Sequence, residues 1–283
     1  MSDQHRRAAF LHEMGLGPIW SQRGIAAPQA VAEAVMDAAP AGIPSMQATA
    51  VAVTTSAWAE ATPVVAVPLH APVTLAASEV ATTTSFADIA QMDWAQLKSV
   101  VASCTQCGLC KSRTQTVFGV GDQKAKWLFV GEGPGRNEDF QGEPFVGPAG
   151  KLLDNMFGAM GLKRGENTYI ANIVKCRPTD ASKRDRPPAA EEAAACIPYL
   201  ERQIALIKPT VIVALGKTAA ISLLKLEPTT PVSKLRGTVH RYADLPLIVT
   251  YHPAYLLRNL KDKSKAWADL CLAMQTYADS PSA

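Results

Sequence analysis

The sequence has no long apolar run, few cysteines, and a long segment without basic residues. None of its 283 residues lie in an unbroken apolar stretch approaching the roughly eighteen that a transmembrane helix needs, so we expect no membrane span. The opening segment, MSDQHRRAAFLHEM, lacks the apolar region of a secretory signal. Six cysteines are too few for a disulfide scaffold in a chain of this length. These absences predict a cytoplasmic protein whose clustered cysteines bind metal or carry redox chemistry.

The charge of the chain is unevenly distributed. Residues 24–97 contain no lysine or arginine and six acidic residues. Residues 98–283 contain 25 basic and 17 acidic residues, a net charge of +8. A basic region behind such a leader is typical of proteins that bind a polyanion such as nucleic acid. A basic surface that is simply solvated explains the charge equally well.

Composition divides the chain into three parts. Residues 1–23 begin with a short amphipathic segment followed by Gly-Pro and a tryptophan, which indicates a partner-docking peptide. Residues 24–85 are dominated by Ala, Val, Thr and Pro without a lasting periodicity, which predicts a disordered linker. Residues 86–283 alternate between apolar runs and amphipathic segments, so we expect one folded domain there.

This last part has the pattern of an α/β domain. The predicted strands are 127–131, 168–174, 210–215 and 246–250, and the predicted helices include 151–160, 191–207 and 264–277. Strands that alternate with helices favour a parallel sheet covered on both faces. Functional residues in such folds gather at the carboxyl ends of the strands.

The cysteines are spaced like metal ligands. Cys104 and Cys107 form a C-x-x-C pair that Cys110 extends, and Cys176 and Cys196 lie far downstream. Four thiolates can hold a zinc ion or a cubane iron–sulfur cluster, and the spacing leaves both open. Alternatively, the two downstream cysteines are thiols unrelated to the first pair.

Two further segments fall at the predicted sheet edge. GEGPG follows the first strand but lacks the spacing of a phosphate-binding loop, and its proline removes a donor nitrogen. A rigid turn that holds Glu132 beside exposed backbone suits a small planar ligand, although a plain strand-to-helix turn is the alternative. His252 precedes Pro253 at the end of the fourth strand, which brings an imidazole to the same edge.

Five motifs, in order, are GEGPGRNEDFQGEPFVGPAGKLLD, YIANIVKCRP, LGKTA, LRG and TYHPAYLLR. Together they resemble the family 4 uracil-DNA glycosylases over residues 92–277. The resemblance implies a three-layer αβα sandwich around a four-stranded parallel sheet. It also implies a [4Fe–4S] cofactor, whose ligands fall on Cys104, Cys107, Cys176 and Cys196. Cys110 has no counterpart among those ligands.

The resemblance also implies a uracil pocket and catalytic residues. The pocket residues are Gly131, Glu132, Gly133, Phe145, Asn172 and His252, and the catalytic residues are His252, Glu132 and Glu138. Phe145 would stack on the flipped base, Asn172 would read its edge, and His252 would stabilise the leaving uracil anion. Gly133 and Gly135 stand where the better-known glycosylase branch has an aspartate and a thymine-excluding tyrosine. We expect Glu138 to block the uracil C5 position instead.

By the same resemblance, the residues that meet DNA are Arg236, Tyr255, Leu256, Leu257 and Arg258. The apolar members would form a wedge that holds the base out of the stack, and the basic ones would contact phosphates. Lys183, Arg184 and Arg186, in the loop between the distant cysteines, are also expected to touch DNA phosphates. That loop contains no histidine, so we do not expect the covalent DNA adduct that one branch of the superfamily forms.

The resulting prediction is a monomeric enzyme that removes uracil from single- or double-stranded DNA, associated with the nucleoid in the cytoplasm. Residues 1–23 resemble the peptide by which the psi subunit of the bacterial clamp loader binds its partner, which implies a replisome contact. Two alternatives remain: a DNA-binding or redox-sensing protein without turnover, and a zinc-stapled nucleotide hydrolase.

Overall fold

A six-stranded sheet with helices on both faces organises residues 86–280, the part of the chain that the computed structural model describes. The strands are β1 (Val120–Gly121), β2 (Trp127–Gly131), β3 (Thr168–Asn172), β4 (Val211–Leu215), β5 (Val239–Tyr242) and β6 (Leu245–Thr250). The helices are α1 (Phe86–Gln91), α2 (Trp94–Ser103), α3 (Arg136–Gln141), α4 (Pro148–Met160), α5 (Ala190–Ile207), α6 (Lys217–Leu224), α7 (Val232–Leu235), α8 (Pro253–Arg258) and α9 (Lys263–Ala278). The predicted docking peptide 1–23 and linker 24–85 lie outside the described residues.

The predicted α/β sandwich is confirmed, but the expectation of only four strands is wrong. The order is β1-β3-β2-β4-β6-β5, in which the four central strands are the predicted parallel ones. Strands β1 and β5 add antiparallel edges. The hairpin to β5 turns through Ala243 and Asp244, both with positive φ, instead of the usual Asn-Gly pair. Because β5 is short, polar and turned by unusual residues, no pattern in the sequence indicated it.

Alternate residues of the central strands build the two layers of the core. In β2, Trp127 and Phe129 face the layer formed by α4 and α9, whereas Leu128 and Val130 face the layer formed by α2, α5 and α6. Every residue of β2, β3 and β4 is buried, as expected for parallel strands covered on both sides. This rigid centre fixes the carboxyl ends of the strands, where the predicted site lies.

Helix α4 illustrates how local sequence sets the loops at that edge. It begins with Pro148 directly after Gly147 and ends at Gly161, which has a φ of 76°. Proline suits the first turn of a helix because its missing N–H needs no partner there, and glycine accepts the left-handed conformation at the end. No helix within residues 86–280 is both long and apolar enough to cross a lipid bilayer.

Candidate active site

The carboxyl ends of β2, β3 and β6 bring the predicted pocket residues to one edge of the sheet. Gly131 ends β2 and Asn172 ends β3, and the two are direct partners in the parallel ladder. His252 follows β6 and caps the start of α8. Phe145 reaches the same edge from the loop between α3 and α4, where its ring faces the imidazole of His252. Four residues that are distant in sequence therefore share one pocket.

Gly131 allows two side chains to approach the backbone closely. A Cβ atom on residue 131 would lie 2.4 Å from Oδ1 of Asn172 and 2.7 Å from Cζ of Phe145. Asn172 is 2% exposed, and its Oδ1 has no hydrogen-bond partner among residues 86–280. A buried acceptor without a partner costs about 1–3 kcal/mol, so native proteins keep few of them without a reason. The orphaned oxygen marks a place where a ligand N–H can bind.

Phe145 is held in a strained turn. Its backbone φ is 56°, a left-handed value that is uncommon for an aromatic residue. Oε1 of Glu138 accepts hydrogen bonds from the amides of Val146, at 3.0 Å, and Gly147, at 3.2 Å. Nη2 of Arg164 donates to the carbonyl oxygen of Phe145 at 2.9 Å. The surrounding contacts therefore impose the position of the Phe145 ring before any ligand arrives.

The other carboxylate oxygen of Glu138 lies beside Gly135. A Cβ atom on Gly135 would be 2.9 Å from Oε2 of Glu138. The carboxylate thus occupies the space into which a larger side chain at position 135 would point. Gly135 is the position at which the better-known glycosylase branch is expected to carry its thymine-excluding tyrosine.

His252 is arranged as a neutral hydrogen-bond donor. Burial, with a smaller contribution from the charge of Arg258, lowers the pKa of His252 to about 4. The amide of Ala254 donates to Nδ1 at 3.1 Å, so we assign the single ring proton to Nε2. The ring lies 5.4 Å from that of Phe145, centroid to centroid, with an angle of 28° between their planes. An uncharged imidazole with a fixed tautomer thus lines the pocket.

Glu132 lies in the turn between β2 and α3. The hydroxyl of Thr218 donates a hydrogen bond to Oε2 of Glu132. Burial raises the pKa of the Glu132 carboxyl above its usual value, although the Thr218 bond opposes this. At Gly133 a Cβ atom would lie 2.7 Å from Cγ2 of Val174, so the turn packs closely against the segment after β3.

Helix α8 separates the predicted wedge residues. Leu256 is fully buried in the core, whereas the side chain of Leu257 is 42% exposed. Tyr255 stacks on Tyr251 with ring centroids 4.9 Å apart, and its hydroxyl donates to Asp262 Oδ2 at 2.7 Å. In this structure Leu256 is a packing residue that cannot reach DNA, because its side chain has no exposed surface. A wedge at this position therefore depends on Leu257.

Arg236, which the sequence assigned to DNA, is committed to an internal ion pair. Its Nε lies 2.7 Å from Oδ2 of Asp269, and the two side chains are only 12% and 1% exposed. The guanidinium carbon lies 4.5 Å from the centroid of the Tyr251 ring, a cation–π geometry. Arg236 therefore supports the residue before His252 and offers little free surface to a phosphate.

A cavity in the described part of the chain is lined by cysteines. The cysteines that line it are Cys104, Cys107, Cys176 and Cys196. Three of their sulfur atoms accept hydrogen bonds. The donors are Tyr199 Oη to Cys104 (3.3 Å), Arg113 Nη1 to Cys176 (3.1 Å) and Lys175 N to Cys196 (3.3 Å). Hydrogen bonds of this kind stabilise thiolates that bind a cofactor.

The chemistry of this donor set fits a metal centre held by thiolates. All four thiols are free of disulfide bonds. Across residues 86–280, no three His, Cys, Asp or Glu side chains form a group that could hold one metal ion. Burial raises the pKa of the Cys196 thiol to about 12, so a positively charged group is needed to keep it deprotonated. Cys110, which extends the C-x-x-C pair in the sequence, does not line the cavity.

Residues 118–271 match the model of the uracil DNA glycosylase superfamily. The chain belongs to this superfamily. Among curated proteins, it is 46% identical over 164 residues to the Type-4 uracil-DNA glycosylase of Archaeoglobus fulgidus, covering 56% of this chain and 79% of the relative. Identity to the Type-4 enzyme of Sulfurisphaera tokodaii is 45% over 195 residues (64% and 86% of the two chains). Identity to that of Thermotoga maritima is 45% over 160 residues (56% and 80%).

The predicted family is thereby confirmed, and the chain is an enzyme of the DNA glycosylase class. A Type-5 uracil-DNA glycosylase of Pyrobaculum aerophilum is less similar, at 29% identity over 152 residues. The similarity therefore favours the Type-4 branch over the Type-5 branch. It also excludes the nucleotide hydrolase that the sequence had left as an alternative.

In this glycosylase the basic loop 177–195 is largely internally paired. Arg186 forms a bidentate ion pair with Glu192, at 2.6 and 2.8 Å, and Arg184 pairs with a carboxylate of the same loop. Arg186 thus braces the loop between the distant cysteines, whereas Arg184, whose side chain is 78% exposed, keeps free surface for a phosphate. Contact of Lys183 with DNA stays a prediction.

Several supporting residues of the glycosylase site were missed from the sequence. Thr218, Lys175 and Tyr251 lie inside the quoted motifs LGKTA, YIANIVKCRP and TYHPAYLLR, so those motifs were the available signal. Arg164 lies outside every motif, and nothing in the sequence pointed to its bond with Phe145. Each of these residues acts through tertiary contacts with a residue that the motifs did identify.

Proposed function

We propose that this enzyme hydrolyses the N-glycosidic bond of deoxyuridine in DNA, releasing uracil and leaving an abasic site. The observation that carries the proposal is the orphaned Oδ1 of Asn172 in a pocket lined by Phe145 and His252. A flipped uracil supplies what this pocket lacks: an N–H for the free acceptor and a flat face for the aromatic ring.

Selectivity for uracil follows from the amide of Asn172. Its Oδ1 accepts from uracil N3–H while its Nδ2 donates to O4. Cytosine presents the reverse pattern at those two atoms, so both would be left unpaired in a buried site. A polar site rejects such a mismatched base strongly, because the desolvated groups on both sides lose their partners. Phe145 adds stacking that every base can use and therefore contributes affinity more than selectivity.

His252 stabilises the leaving group. When the bond between N1 and C1′ breaks, its electron pair stays on uracil, and negative charge develops on O2. The Nε2–H of neutral His252 donates to that oxygen, which is electrostatic catalysis worth roughly 3 kcal/mol for one donor. Because the imidazole is already neutral and oriented, it needs no proton from solvent before the reaction.

Water completes the reaction by adding to C1′ of the oxocarbenium-like sugar and losing a proton to solvent, from which the uracil anion takes up one proton. Two carboxylates lie near the pocket loop, and we assign them different tasks. Glu138 is bound by two backbone amides, which suits a fixed barrier near uracil C5. Glu132 uses one oxygen for Thr218, which leaves the other to orient the water.

We further propose that Cys104, Cys107, Cys176 and Cys196 hold the [4Fe–4S] cluster. When bound, the cluster supplies a rigid cross-link between α2, the segment after β3, and α5. Every chemical step is made by the pocket residues. This agrees with the hydrogen bonds that the protein already offers to three of the sulfurs.

The proposed DNA face consists of α8 and the residues around it. Leu257 fills the gap that the flipped base leaves, and Arg258 and Lys183 meet phosphates. We propose that the enzyme acts as a monomer on single- or double-stranded DNA at the nucleoid. The contact of residues 1–23 with a clamp-loader subunit stays a prediction, which a pull-down with and without those residues tests.

The test of the function is cleavage of a labelled oligonucleotide that contains one uracil, followed by alkali. We expect the wild type to cleave it and His252→Ala to lose most of the activity. His240→Ala is the matched control, because His240 lies on edge strand β5 and bonds the carbonyl of Leu235. An inactive wild type with intact cluster absorbance would instead support the DNA-binding or sensing alternative.

A further inference from the structure

Lys175 contacts both the proposed cluster cradle and the residue that reads uracil. It is 1% exposed, although it carries an ammonium group. Its Nζ donates to the carbonyl oxygen of Asn172 at 3.0 Å and to Oε1 of Gln203 at 2.7 Å. Its backbone amide donates to Sγ of Cys196 at 3.3 Å. The mechanism described above uses neither of the two bonds made by the ammonium group.

The segment after β3 is held by both backbone and side-chain bonds. The amides of Ile173 and Val174 donate to the carbonyl oxygens of Gly131 and Glu132, at 3.0 and 3.2 Å, so the pairing with β2 continues beyond Asn172. The amide of Lys175 then donates to the Cys196 sulfur, and its ammonium group bonds the Asn172 carbonyl. Lys175 thereby ties the end of β3 to the cysteine cavity.

We propose that Lys175 is a positioning residue for uracil recognition, which couples the cysteine-lined cavity to the orientation of Asn172. This inference depends on the proposed function. The Asn172 amide must present its acceptor to uracil N3–H within hydrogen-bond geometry, and interactions of this kind weaken steeply with misalignment. Gly131 and the Phe145 ring confine the amide on one side. On the other side, the ammonium group of Lys175 fixes the backbone of Asn172, from which the amide extends.

The test is Lys175→Met in the cluster-loaded enzyme. Methionine is unbranched and similar in length, and the variant keeps the backbone amide that faces Cys196. We expect KM for a uracil oligonucleotide and the calorimetric Kd for free uracil to rise at least 10-fold, with kcat little changed. That split is expected because uracil recognition contributes equally to substrate and transition-state binding. The visible absorbance of the cluster per protein chain should stay at the wild-type value.

Gln203→Leu is the matched control. It removes a buried partner of the same ammonium group but leaves the bond to the Asn172 carbonyl. We expect a similar fall in melting temperature in both variants, and a changed uracil affinity only in Lys175→Met. If Lys175→Met does not fold, Lys175→Gln replaces it, because its side chain is one bond shorter and cannot reach the same carbonyl.

Three outcomes are informative. A wild type that does not cleave uracil DNA contradicts the proposed function. An active wild type with unchanged KM and Kd in the Lys175 variant overturns the positioning role alone. An equal loss of uracil affinity in Gln203→Leu also overturns it, because general loosening of the core would then explain both.

Discussion

Oδ1 of Asn172 lies 2.4 Å from the point that a Cβ atom on Gly131 would occupy. The base-reading amide is therefore packed against a bare backbone, and a methyl group at residue 131 must displace it or the Phe145 ring. For Gly131→Ala we expect kcat/KM on a uracil oligonucleotide to fall roughly 100-fold or more. The comparison variant is Gly158→Ala in α4, where a Cβ meets nothing within 4 Å. Equal activity of the two variants would contradict this account of the pocket.

Glu138 provides a test of thymine exclusion. Its Oε2 occupies the space beside Gly135, and its Oε1 holds the turn after Phe145. We expect Glu138→Ala to acquire measurable cleavage of oligonucleotides with thymine or 5-methyl-substituted uracil, because the C5 barrier is removed. Glu138→Gln keeps both the bulk and an acceptor oxygen, so it should still exclude them. Cleavage assays on matched uracil and thymine substrates give the ratio, and an unchanged ratio in Glu138→Ala would exclude the barrier role.

The ionisation of His252 predicts the shape of the pH profile. Burial holds the pKa of His252 at about 4, below the usual 6.5 of histidine, so the neutral donor dominates at every pH well above 4. We expect no decline of kcat/KM between pH 8 and pH 5.5 that is due to His252, and a decline near pH 4 as the ring gains a proton. Since Arg258 contributes to the lowering, Arg258→Gln should move that decline to higher pH.

The same pKa has a consequence for stability. Between pH 6.5 and about 4, the unfolded chain holds a proton on His252 that the folded chain does not. Acidification therefore stabilises the unfolded state relative to the folded one. The contribution of His252 to the free energy of unfolding is fully present above pH 6.5 and is lost as the pH falls towards about 4. A loss of activity as the pH rises through 6.5 would show that His252 acts as a cation instead.

Leu256 and Leu257 are adjacent, but alanine substitutions at the two positions should affect different properties, stability for Leu256 and activity for Leu257. Leu256 is fully buried, so Leu256→Ala should lower the free energy of unfolding by about 2–5 kcal/mol. Leu257 is 42% exposed, so Leu257→Ala should change stability by less than about 0.5 kcal/mol. We expect Leu257→Ala to reduce cleavage of duplex DNA more than of single strands. Equal reductions on both substrates would argue against a wedge.

Substitutions of Arg236 and Arg258 should have different effects, because Arg236 is held in an internal ion pair and Arg258 is exposed. Removing Arg236 leaves the carboxylate of Asp269 buried and unpaired, so Arg236→Met should cost about 3–5 kcal/mol of stability. Arg258 is exposed at the end of α8, so Arg258→Met should leave the melting temperature unchanged. It should weaken DNA binding and reduce the salt dependence of that binding. A stable Arg236→Met variant with weakened DNA binding would restore the role that the sequence assigned to it.

The sequence predicted much of the fold, because parallel strands that are buried on both faces are apolar at every position. The central strands are continuous apolar runs, and three of the four predicted ranges match the observed strands to within one residue at either end. The remaining range, 168–174, was too long by two residues because buried apolar residues continue past Asn172 at Ile173 and Val174. Edge strand β5 was not predicted, since an exposed short strand needs no apolar run. Residues of the site were found where linked motifs identified them, as with Asn172 and His252.

By itself the sequence determined the α/β class, the four central strands, the motifs that predict the pocket residues, and the spacing of the four cysteines. These features follow from local patterns: apolar runs, glycine turns and motifs that are contiguous in the chain. Only the tertiary structure decided that Leu256 is core and Leu257 is surface, that Arg236 is bound to Asp269, and that Lys175 bridges two sites. Those assignments depend on which side chains meet across elements far apart in sequence, and the free energy of such contacts is a property of the folded chain alone.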